Sequence, residues 1–272
     1  MTGRLFLMPW HLGNHEDLTV NVLRALRRLR VCLVEDPATA RREFARLLPG
    51  IAAGKLLLRL PPAPHDAFRR RVLGLLERED VGLLASGGAP CFCDPGAWVV
   101  AELRERGVRI VPLAGPSGLG TLLSLSGVEW TGDAGNTFTF AFFCRPAGGR
   151  AAPAMREALG RTGEPIVVFL PVADLVHCLR LVAERGGGDR RVTVFFDLTK
   201  TGRQRFPFAD QVRTLTAQEW LRAHPRVRWD RVSEIALLVH RCEPPRRNRQ
   251  SAIRSTSAST PLQPRKGRSS RA

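Results

Sequence analysis

The stretch VGLLASGGAPCFCDPG, residues 81–96, joins an apolar run to a loop that is rich in glycine and proline. The apolar run at 81–86 predicts a buried strand, and the pattern GAWVVAELRERG at 96–107 predicts a helix. A strand followed by a helix is the repeating unit of an α/β domain, and ligands on such sheets gather where the strands end. The stretch therefore predicts the fold class and also the place where a site would lie.

The same alternation continues on both sides of this stretch. Near-continuous apolar strands that alternate with helices are typical of a parallel sheet covered on both faces. Residues 1–114 are therefore expected to form an N-terminal α/β domain. We predict strands at 4–8, 30–35, 54–60, 81–86 and 108–115, and helices at 15–29, 38–48, 64–79 and 96–107.

The sequence changes in character after residue 114. Alternating and aromatic runs indicate a second α/β domain, over residues 115–243, whose sheet is mixed. Residues 244–272 hold almost no large apolar side chains and are expected to be a disordered basic tail. In the second domain we predict strands at 136–143, 164–171, 190–199 and 234–241, and helices at 148–163 and 172–186.

The chain is strongly basic, with a formal net charge of +17. Eight basic residues and no acidic ones lie from Pro244 onward, which leaves +9 for residues 1–243. A basic surface suits a polyanion such as RNA. An arginine-rich composition with solvated faces would give the same charge, so both interpretations stay open.

Several classes of protein are disfavoured by simple patterns. No run of about 18 apolar residues occurs, and the start MTGRLFLMPWHLGN lacks the pattern of a secretory signal, so we expect a cytoplasmic protein without a membrane span. The six cysteines lack the spacing of a disulfide framework and are expected to be reduced. Cys91 and Cys93 have no second ligand pair at zinc-site spacing, so no metal is expected.

The loop after the strand at 81–86 does not match the common nucleotide-binding motifs. Residues 83–96 contain no lysine or arginine, and the glycine fingerprint of dinucleotide-binding domains is missing after the first strand. Gly87, Gly88 and Pro90 still permit close approach of the backbone to a ligand. The alternative is a tight turn without a ligand.

Five segments, in order and with their spacing, resemble one family. They are LFLMPWHLGNHEDLT (5–19), VCLVEDPATARR (31–42), ASGGAPCFCDPG (85–96), VPLAGPSGLGTLLSLSG (111–127) and FFDLTK (195–200). Together they resemble the tetrapyrrole methylase superfamily of S-adenosylmethionine-dependent methyltransferases, and within it the ribosomal RNA small-subunit methyltransferase I branch. The resemblance spans roughly residues 4–241.

The resemblance implies two α/β domains, with the methyl donor S-adenosylmethionine in the cleft between them, and a homodimer. It also implies methylation of a ribose 2′-hydroxyl of a cytidine in small-subunit rRNA. Carried over by position, the donor-binding residues would be Leu12, Gly87, Gly88, Ala89, Phe92, Ser117, Gly118 and the strand end at Phe169 and Leu170.

The chain departs from the usual motifs of that branch. The sequence ASGGAP at 85–90 replaces S-D-A-G-T-P and lacks its acid and its threonine. The sequence LPVAD at 170–174 replaces E-S-P-H-R, whereas FDLTK at 196–200 replaces R-E-L-T-K and keeps the acid and the lysine. Backbone contacts to the donor could survive these changes, but side-chain hydrogen bonds could not.

Methyl transfer from a sulfonium is an in-line displacement, in which the protein mainly aligns the reacting atoms. A ribose hydroxyl is a poor nucleophile and would benefit from a general base. We predict Asp94 and Lys200 as the catalytic residues, although Asp94 could instead cap the helix that follows it. The other titratable groups considered for the cleft are Glu35, Asp36, Asp197, His11 and His15, of which the two histidines could equally lie on the surface.

Three functional hypotheses remain at this point. The first is a methyltransferase that acts on small-subunit rRNA. The second is a methyltransferase with a different acceptor, which the replaced E-S-P-H-R segment allows. The third is a non-catalytic RNA-binding or ribosome-binding protein on the same scaffold, which the missing acid and threonine allow.

Overall fold

The computed structural model describes residues 2–51, 54–130, 137–143, 151–200, 211–227 and 229–242. Within these residues the chain forms two five-stranded sheets, each with its own helices. The predicted tail at 244–272 lies outside the described residues. No helix in the described part of the chain is long and apolar enough to cross a membrane.

The first sheet confirms the predicted parallel α/β domain. Its strands lie in the order β3-β2-β4-β1-β5, and every neighbouring pair is parallel. The strands are β1 (Leu5–Met8), β2 (Val31–Val34), β3 (Leu56–Arg59), β4 (Val81–Leu84) and β5 (Ile110–Pro112). The helices are α1 (Val20–Arg28), α2 (Pro37–Leu47), α3 (Asp66–Leu76) and α4 (Ala97–Glu105).

Helices cover both faces of this sheet, which explains its continuous apolar strands. All four residues of β2 and of β4 are buried. Leu26 of α1 and Phe44 of α2 pack on one face, whereas Leu76 of α3 and Leu103 of α4 pack on the other. The carboxyl ends of β1, β2 and β4 consequently meet at one edge, where the glycine loop begins.

Short polar residues set where the first two helices begin. Thr19 accepts a hydrogen bond from the amide of Val22, so α1 begins at Val20 and a separate 3-10 turn covers His15–Asp17. Asp36 accepts from the amides of Ala38 and Thr39 and thereby caps α2. The predicted helix 15–29 is therefore two elements, because its N-cap, Thr19, is the fifth residue of that stretch and not the residue before it.

The second sheet is mixed, as predicted. Its order is β6-β7-β10-β8-β9, with β6 parallel to β7 and the other pairs antiparallel. The strands are β6 (Thr139–Phe142), β7 (Ile166–Leu170), β8 (Arg191–Phe196), β9 (Val212–Thr216) and β10 (Ile235–Val239). The helices are α5 (Gly118–Leu125), α6 (Pro153–Gly160), α7 (Leu175–Gly186) and α8 (Ala217–Ala223).

The two faces of the second sheet have different neighbours. Residues of α7 and α8, such as Leu179 and Trp220, pack on one face. Leu122 of α5 packs on the other face, against Val167 and Phe195. The predicted boundary at 114/115 therefore falls between β5, in the first sheet, and α5, which packs on the second. This arrangement places α5 beside the cleft between the two sheets.

Candidate functional site

The glycine loop after β4 is fastened to the segment that follows β1. The amides and carbonyls of Trp10 and Gly88 exchange two hydrogen bonds, each of 2.9 Å. Gly88 has a φ of +68°, and a Cβ at this position would lie 3.2 Å from Leu12 Cδ2 and 3.8 Å from the Pro116 carbonyl oxygen. The predicted donor-binding residues Leu12, Gly87 and Gly88 therefore meet here, around a backbone that only glycine leaves open.

The start of α5 forms the opposite side of this opening. The Ser117 hydroxyl accepts from the amide of Gly120 and caps the helix. Gly118 faces the second sheet, because a Cβ built on it would lie 3.4 Å from Phe169 Cζ. The predicted residues Ser117 and Gly118 thus lie between the glycine loop and β7, with Ala89 on the loop side.

Aromatic rings connect the loop to the second sheet. The Phe92 and Phe140 ring centroids are 4.8 Å apart, and the Phe140 and Phe169 centroids are 5.3 Å apart. Leu170, predicted from position as a donor contact, points its side chain the other way, into the core beside α7. Any donor contact of Leu170 would have to come from its backbone, whereas the ring of Phe169 faces the cleft. Strand alternation explains this difference.

His11 is buried and holds the turn after β1. Its Nδ1 accepts from the amide of Gly13 at 3.1 Å, so the other ring nitrogen, Nε2, carries the proton and faces Glu43 Oε2 at 3.3 Å. Burial lowers the pKa of His11, against the opposing effect of Glu43. His11 is therefore a buried, neutral ring that fixes the turn after β1, and it does not lie on the surface.

Lys200 bridges the two domains. Gly13 has a φ of +119°, and the aliphatic stem of Lys200 lies directly over it, since a Cβ on Gly13 would be 2.4 Å from Lys200 Cγ. The Lys200 ammonium donates to Ser233 Oγ at 2.6 Å and lies 3.3 Å from Asp197 Oδ1 and 3.4 Å from Glu234 Oε1. The sequence could not indicate this contact, because the contact joins Gly13 and Lys200, which are far apart along the chain.

Asp197 is a buried anchor. Its side chain is 1% exposed and accepts from Ser233 Oγ and from the amides of Ser233 and Glu234, at 3.1 and 2.9 Å. These bonds and the Lys200 ammonium converge on Oδ1 of a carboxylate that solvent hardly reaches. Asp197 thus holds Lys200 in place and is not placed to accept a proton from a substrate.

Asp94 lies in a different environment. Its pKa is raised to about 6, first by burial and then by the negative charge of Glu35. Asp94 Oδ2 and Glu35 Oε1 are buried oxygens without a hydrogen-bond partner among the described residues. The alternative considered for Asp94, capping of the following helix, is wrong, because Gly96 is the N-cap of α4 and no side chain caps it.

A groove of about 490 Å³ is lined by Glu35 and by Pro95, the residue that follows Asp94. Apolar side chains form much of the rest of its lining. Its lining residues are Glu35, Arg59, Leu60, Pro61, Pro62, His65, Phe68 and Pro95. Asp36, the neighbouring candidate, is already engaged as the cap of α2 and in an ion pair with Arg59 at 3.0 Å.

The cysteine thiols and the possible metal ligands near the glycine loop were the other candidates for a chemical role. The described cysteines are free, and burial raises the pKa of Cys91 to about 11. In the part of the chain that the structure describes, no three His, Cys, Asp or Glu side chains are grouped so as to hold a metal ion.

Comparison with known proteins identifies the family. Residues 11–210 match the sequence profile of the tetrapyrrole (corrin/porphyrin) methylases. The chain belongs to this family. The predicted resemblance is therefore confirmed at the level of the family, and the residues around the cleft can be interpreted as those of a tetrapyrrole methylase.

Several sequence relatives of this tetrapyrrole methylase share one name. Ribosomal RNA small subunit methyltransferase I of Neisseria meningitidis is 28% identical over 200 residues, which are 73% of this chain and 65% of that protein. The protein of the same name from Thermotoga maritima is 29% identical over 205 residues, 75% of this chain and 87% of that one. The chain thus spans slightly less than two thirds of the Neisseria protein.

Solved structures of other tetrapyrrole methylases share the fold. Uroporphyrin-III C-methyltransferase from Thermus thermophilus, complexed with S-adenosylhomocysteine, gives a TM-score of 0.56 at 19% identity, covering 87% of this chain and 97% of that one. Cobalt precorrin-4 methyltransferase gives 0.60 at 17% identity, covering 87% and 94%. These likenesses confirm the predicted two-domain α/β architecture.

Proposed function

We propose that the protein is an S-adenosylmethionine-dependent methyltransferase that acts on small-subunit rRNA, with a ribose 2′-hydroxyl as the acceptor. The observation that carries the proposal is the convergence of the Gly88 turn, Leu12 and the start of α5 on one opening between the domains. The family and the names of the sequence relatives support the reaction class and the RNA substrate. The basic chain, with its net charge of +17, suits RNA as the partner.

The residues of this opening fit the methyl donor. Gly88 leaves a cradle that a Cβ would fill, so a ligand can approach the backbone closely. The glycine loop carries no lysine or arginine, and Asp94 in this loop and its acidic neighbour Glu35 each have a buried carboxyl oxygen without a hydrogen-bond partner among the described residues. A site with this charge balance favours a cationic ligand, and S-adenosylmethionine, when bound, supplies a methyl group activated by a positively charged sulfur.

The chain's own groups then have separate tasks. The backbone of Gly87, Gly88 and Ala89 and the segment Ser117–Gly118 would hold the donor, and Phe92 would shield it from water. Asp94 would take the proton of the acceptor hydroxyl as the methyl group moves from sulfur to that oxygen, which leaves a neutral thioether. The Lys200 ammonium would favour the deprotonated hydroxyl through its charge. Two copies of the chain would form a homodimer in the cytoplasm.

Calorimetry with S-adenosylmethionine tests the reaction class, and mapping of rRNA ribose methylation with and without the protein tests the acceptor. We expect saturable donor binding and a ribose mark that depends on the protein. Absence of donor binding would instead favour a non-catalytic RNA-binding role. Donor binding with an unchanged rRNA ribose pattern would favour a methyltransferase with another acceptor.

Substitution Asp94→Asn is expected to lower the rate of methyl transfer at saturating donor about 100-fold or more, because it removes the base. In the wild type, the rate should fall below about pH 6, as the Asp94 carboxyl becomes protonated. The measurement is the rate at saturating substrates from pH 5 to pH 9. Asp66→Asn, at an exposed carboxylate on α3, is the control and should match the wild type. An acid limb that persists unchanged in Asp94→Asn would contradict the role of Asp94.

The substitution Asp94→Asn is also expected to change the thermal stability of the protein, by an amount that depends on pH. Because the pKa of Asp94 is raised from 3.8 to about 6 in the folded protein, ionising it costs stability, and this cost develops between about pH 4 and pH 6. Asparagine is neutral throughout. We therefore expect the Tm of Asp94→Asn, relative to the wild type, to be higher at pH 8 than at pH 4.

Removal of the chain after Cys242 is expected to reduce the salt dependence of RNA binding, because the segment from Pro244 onward contributes eight basic residues. Residues 1–242 keep a net charge of +10, since Glu243 is removed together with the eight basic residues, so binding should weaken rather than disappear. The measurement is RNA affinity from 50 to 200 mM salt, with donor affinity as the control. An unchanged slope would show that the tail does not contact RNA.

A further inference from the structure

Two phenylalanine side chains at the cleft are more exposed than apolar side chains usually are. Phe142 is 47% exposed and Phe92 is 39% exposed. Among the described residues, the other large apolar side chains with comparable exposure are Val20 and Leu125. Isolated exposed aliphatic residues are common on protein surfaces, whereas exposed aromatic rings grouped at one site indicate an interaction.

The position of Phe142 extends the row of rings in the cleft. Phe142 is the last residue of β6 and is paired in register with Phe169 of β7. Strand alternation places it on the same face as Phe140, whose ring contacts those of both Phe92 and Phe169. Among the described residues β6 is the edge strand of its sheet, so no described strand lies beyond Phe142. The row therefore ends in the exposed ring of Phe142.

The loop is shaped so that Phe92 reaches the same place from the first domain. Cys91 and Cys93, on either side of it, both have a φ of +65°, a conformation that costs free energy for residues other than glycine. This backbone directs Phe92 across the cleft to Phe140 instead of into the core of its own domain. Rings from the two domains thus form one apolar surface next to the proposed donor pocket.

We propose that Phe92 and Phe142 form a stacking surface for an unpaired nucleobase of the RNA, which places the acceptor nucleotide beside the methyl donor. This inference rests on the proposed function. Proteins that recognise a particular nucleotide of an RNA mostly do so where it is unpaired, because its base can then be splayed out and contacted on its face. Proteins hold unpaired bases mainly by stacking on aromatic side chains, and a strongly basic chain supplies the attraction for the phosphates.

The test compares Phe142→Ala with Leu125→Ala, since Leu125 is 46% exposed and lies on α5. The substrates are a single-stranded RNA with the natural acceptor nucleotide and the same RNA with an abasic acceptor nucleotide. For the natural RNA, Phe142→Ala should raise KM and Kd about tenfold, whereas Leu125→Ala and the aromatic replacement Phe142→Tyr should leave them within about twofold. For the abasic RNA, Phe142→Ala and the wild type should bind equally, because there is no base to stack.

Each outcome separates the two proposals. If the wild type binds no S-adenosylmethionine or methylates no RNA, the proposed function fails, and the stacking surface fails with it. If the wild type methylates the RNA but Phe142→Ala keeps its KM, or loses the same affinity for the abasic RNA, only the stacking surface is overturned. A change of solution mass from dimer to monomer in Phe142→Ala would also overturn it, because a second copy of the chain would then cover the ring. Unchanged donor affinity in Phe142→Ala shows that the donor pocket remains intact.

Discussion

Replacing Gly13 with alanine is expected to weaken donor binding by at least tenfold and to lower the free energy of unfolding by about 2 kcal/mol or more. Two effects combine at this position. The φ of +119° is strained for any side chain, and the added methyl group would lie 2.4 Å from Lys200 Cγ. Lys200 cannot simply swing away, because its ammonium is held by Ser233 and Asp197. Relief must therefore come from moving the turn that leads to Leu12 and the donor pocket.

Gly107→Ala is the matched control for this prediction. Gly107 also has a positive φ, +72°, but a Cβ there has nothing within 4 Å. It should lose about 1 kcal/mol from backbone strain alone and keep donor affinity. Combining Gly13→Ala with Lys200→Ala isolates the clash, because without the lysine stem the alanine should cost only strain. Denaturant unfolding and donor titration measure both quantities, and equal effects of the two glycine substitutions would show that the Lys200 contact is unimportant.

The first sheet could be predicted from the sequence because its strands are buried on both faces. Runs such as VCLV at 31–34 are apolar at every position and are followed by helix-capping residues. Their type and their places along the chain therefore follow from pattern alone. The edge strand Val212–Thr216 was missed, since VRTLT mixes polar and apolar residues and is stabilised by pairing with β8. The predicted strand 190–199 ends at Phe196, because Asp197 takes a φ of +44° to reach the backbone of Ser233 and Glu234.

The site was predictable in part for a similar reason. Residues on one loop, such as Gly87 and Gly88, follow from turn chemistry and from the family's motifs. Side-chain direction did not follow from position: both Phe169 and Leu170 were expected at the cleft, whereas the structure puts only the ring of Phe169 there. The contact of Gly13 with Lys200 and the stack of Phe92 on Phe140 arise from tertiary packing between the domains, which no local pattern encodes.

Replacing Asp197 with alanine is expected to cost about 3–5 kcal/mol of stability, the largest effect of any substitution considered for the second domain. The carboxylate is 1% exposed and satisfies the amides of Ser233 and Glu234 and the ammonium of Lys200. Alanine would leave the two amides without their acceptor in a place that water hardly reaches, and it would remove one of the three oxygens around the Lys200 ammonium. It would also hold a φ of +44° without the local hydrogen bonds that make this conformation acceptable for aspartate.

Two variants decide whether this cost comes from the buried carboxylate or merely from the ion pair with Lys200. Asp197→Asn keeps the shape, the tolerance of positive φ and one acceptor oxygen, so it should lose about 1–2 kcal/mol. Glu234→Ala removes the other acidic neighbour of Lys200, whose side chain is 65% exposed, and should change stability by less than about 0.5 kcal/mol. Urea unfolding of the three variants gives the comparison. A loss in Asp197→Ala no larger than that in Glu234→Ala would mean that the turn after β8 does not depend on this carboxylate, and Lys200 would then need another anchor to keep its place over Gly13.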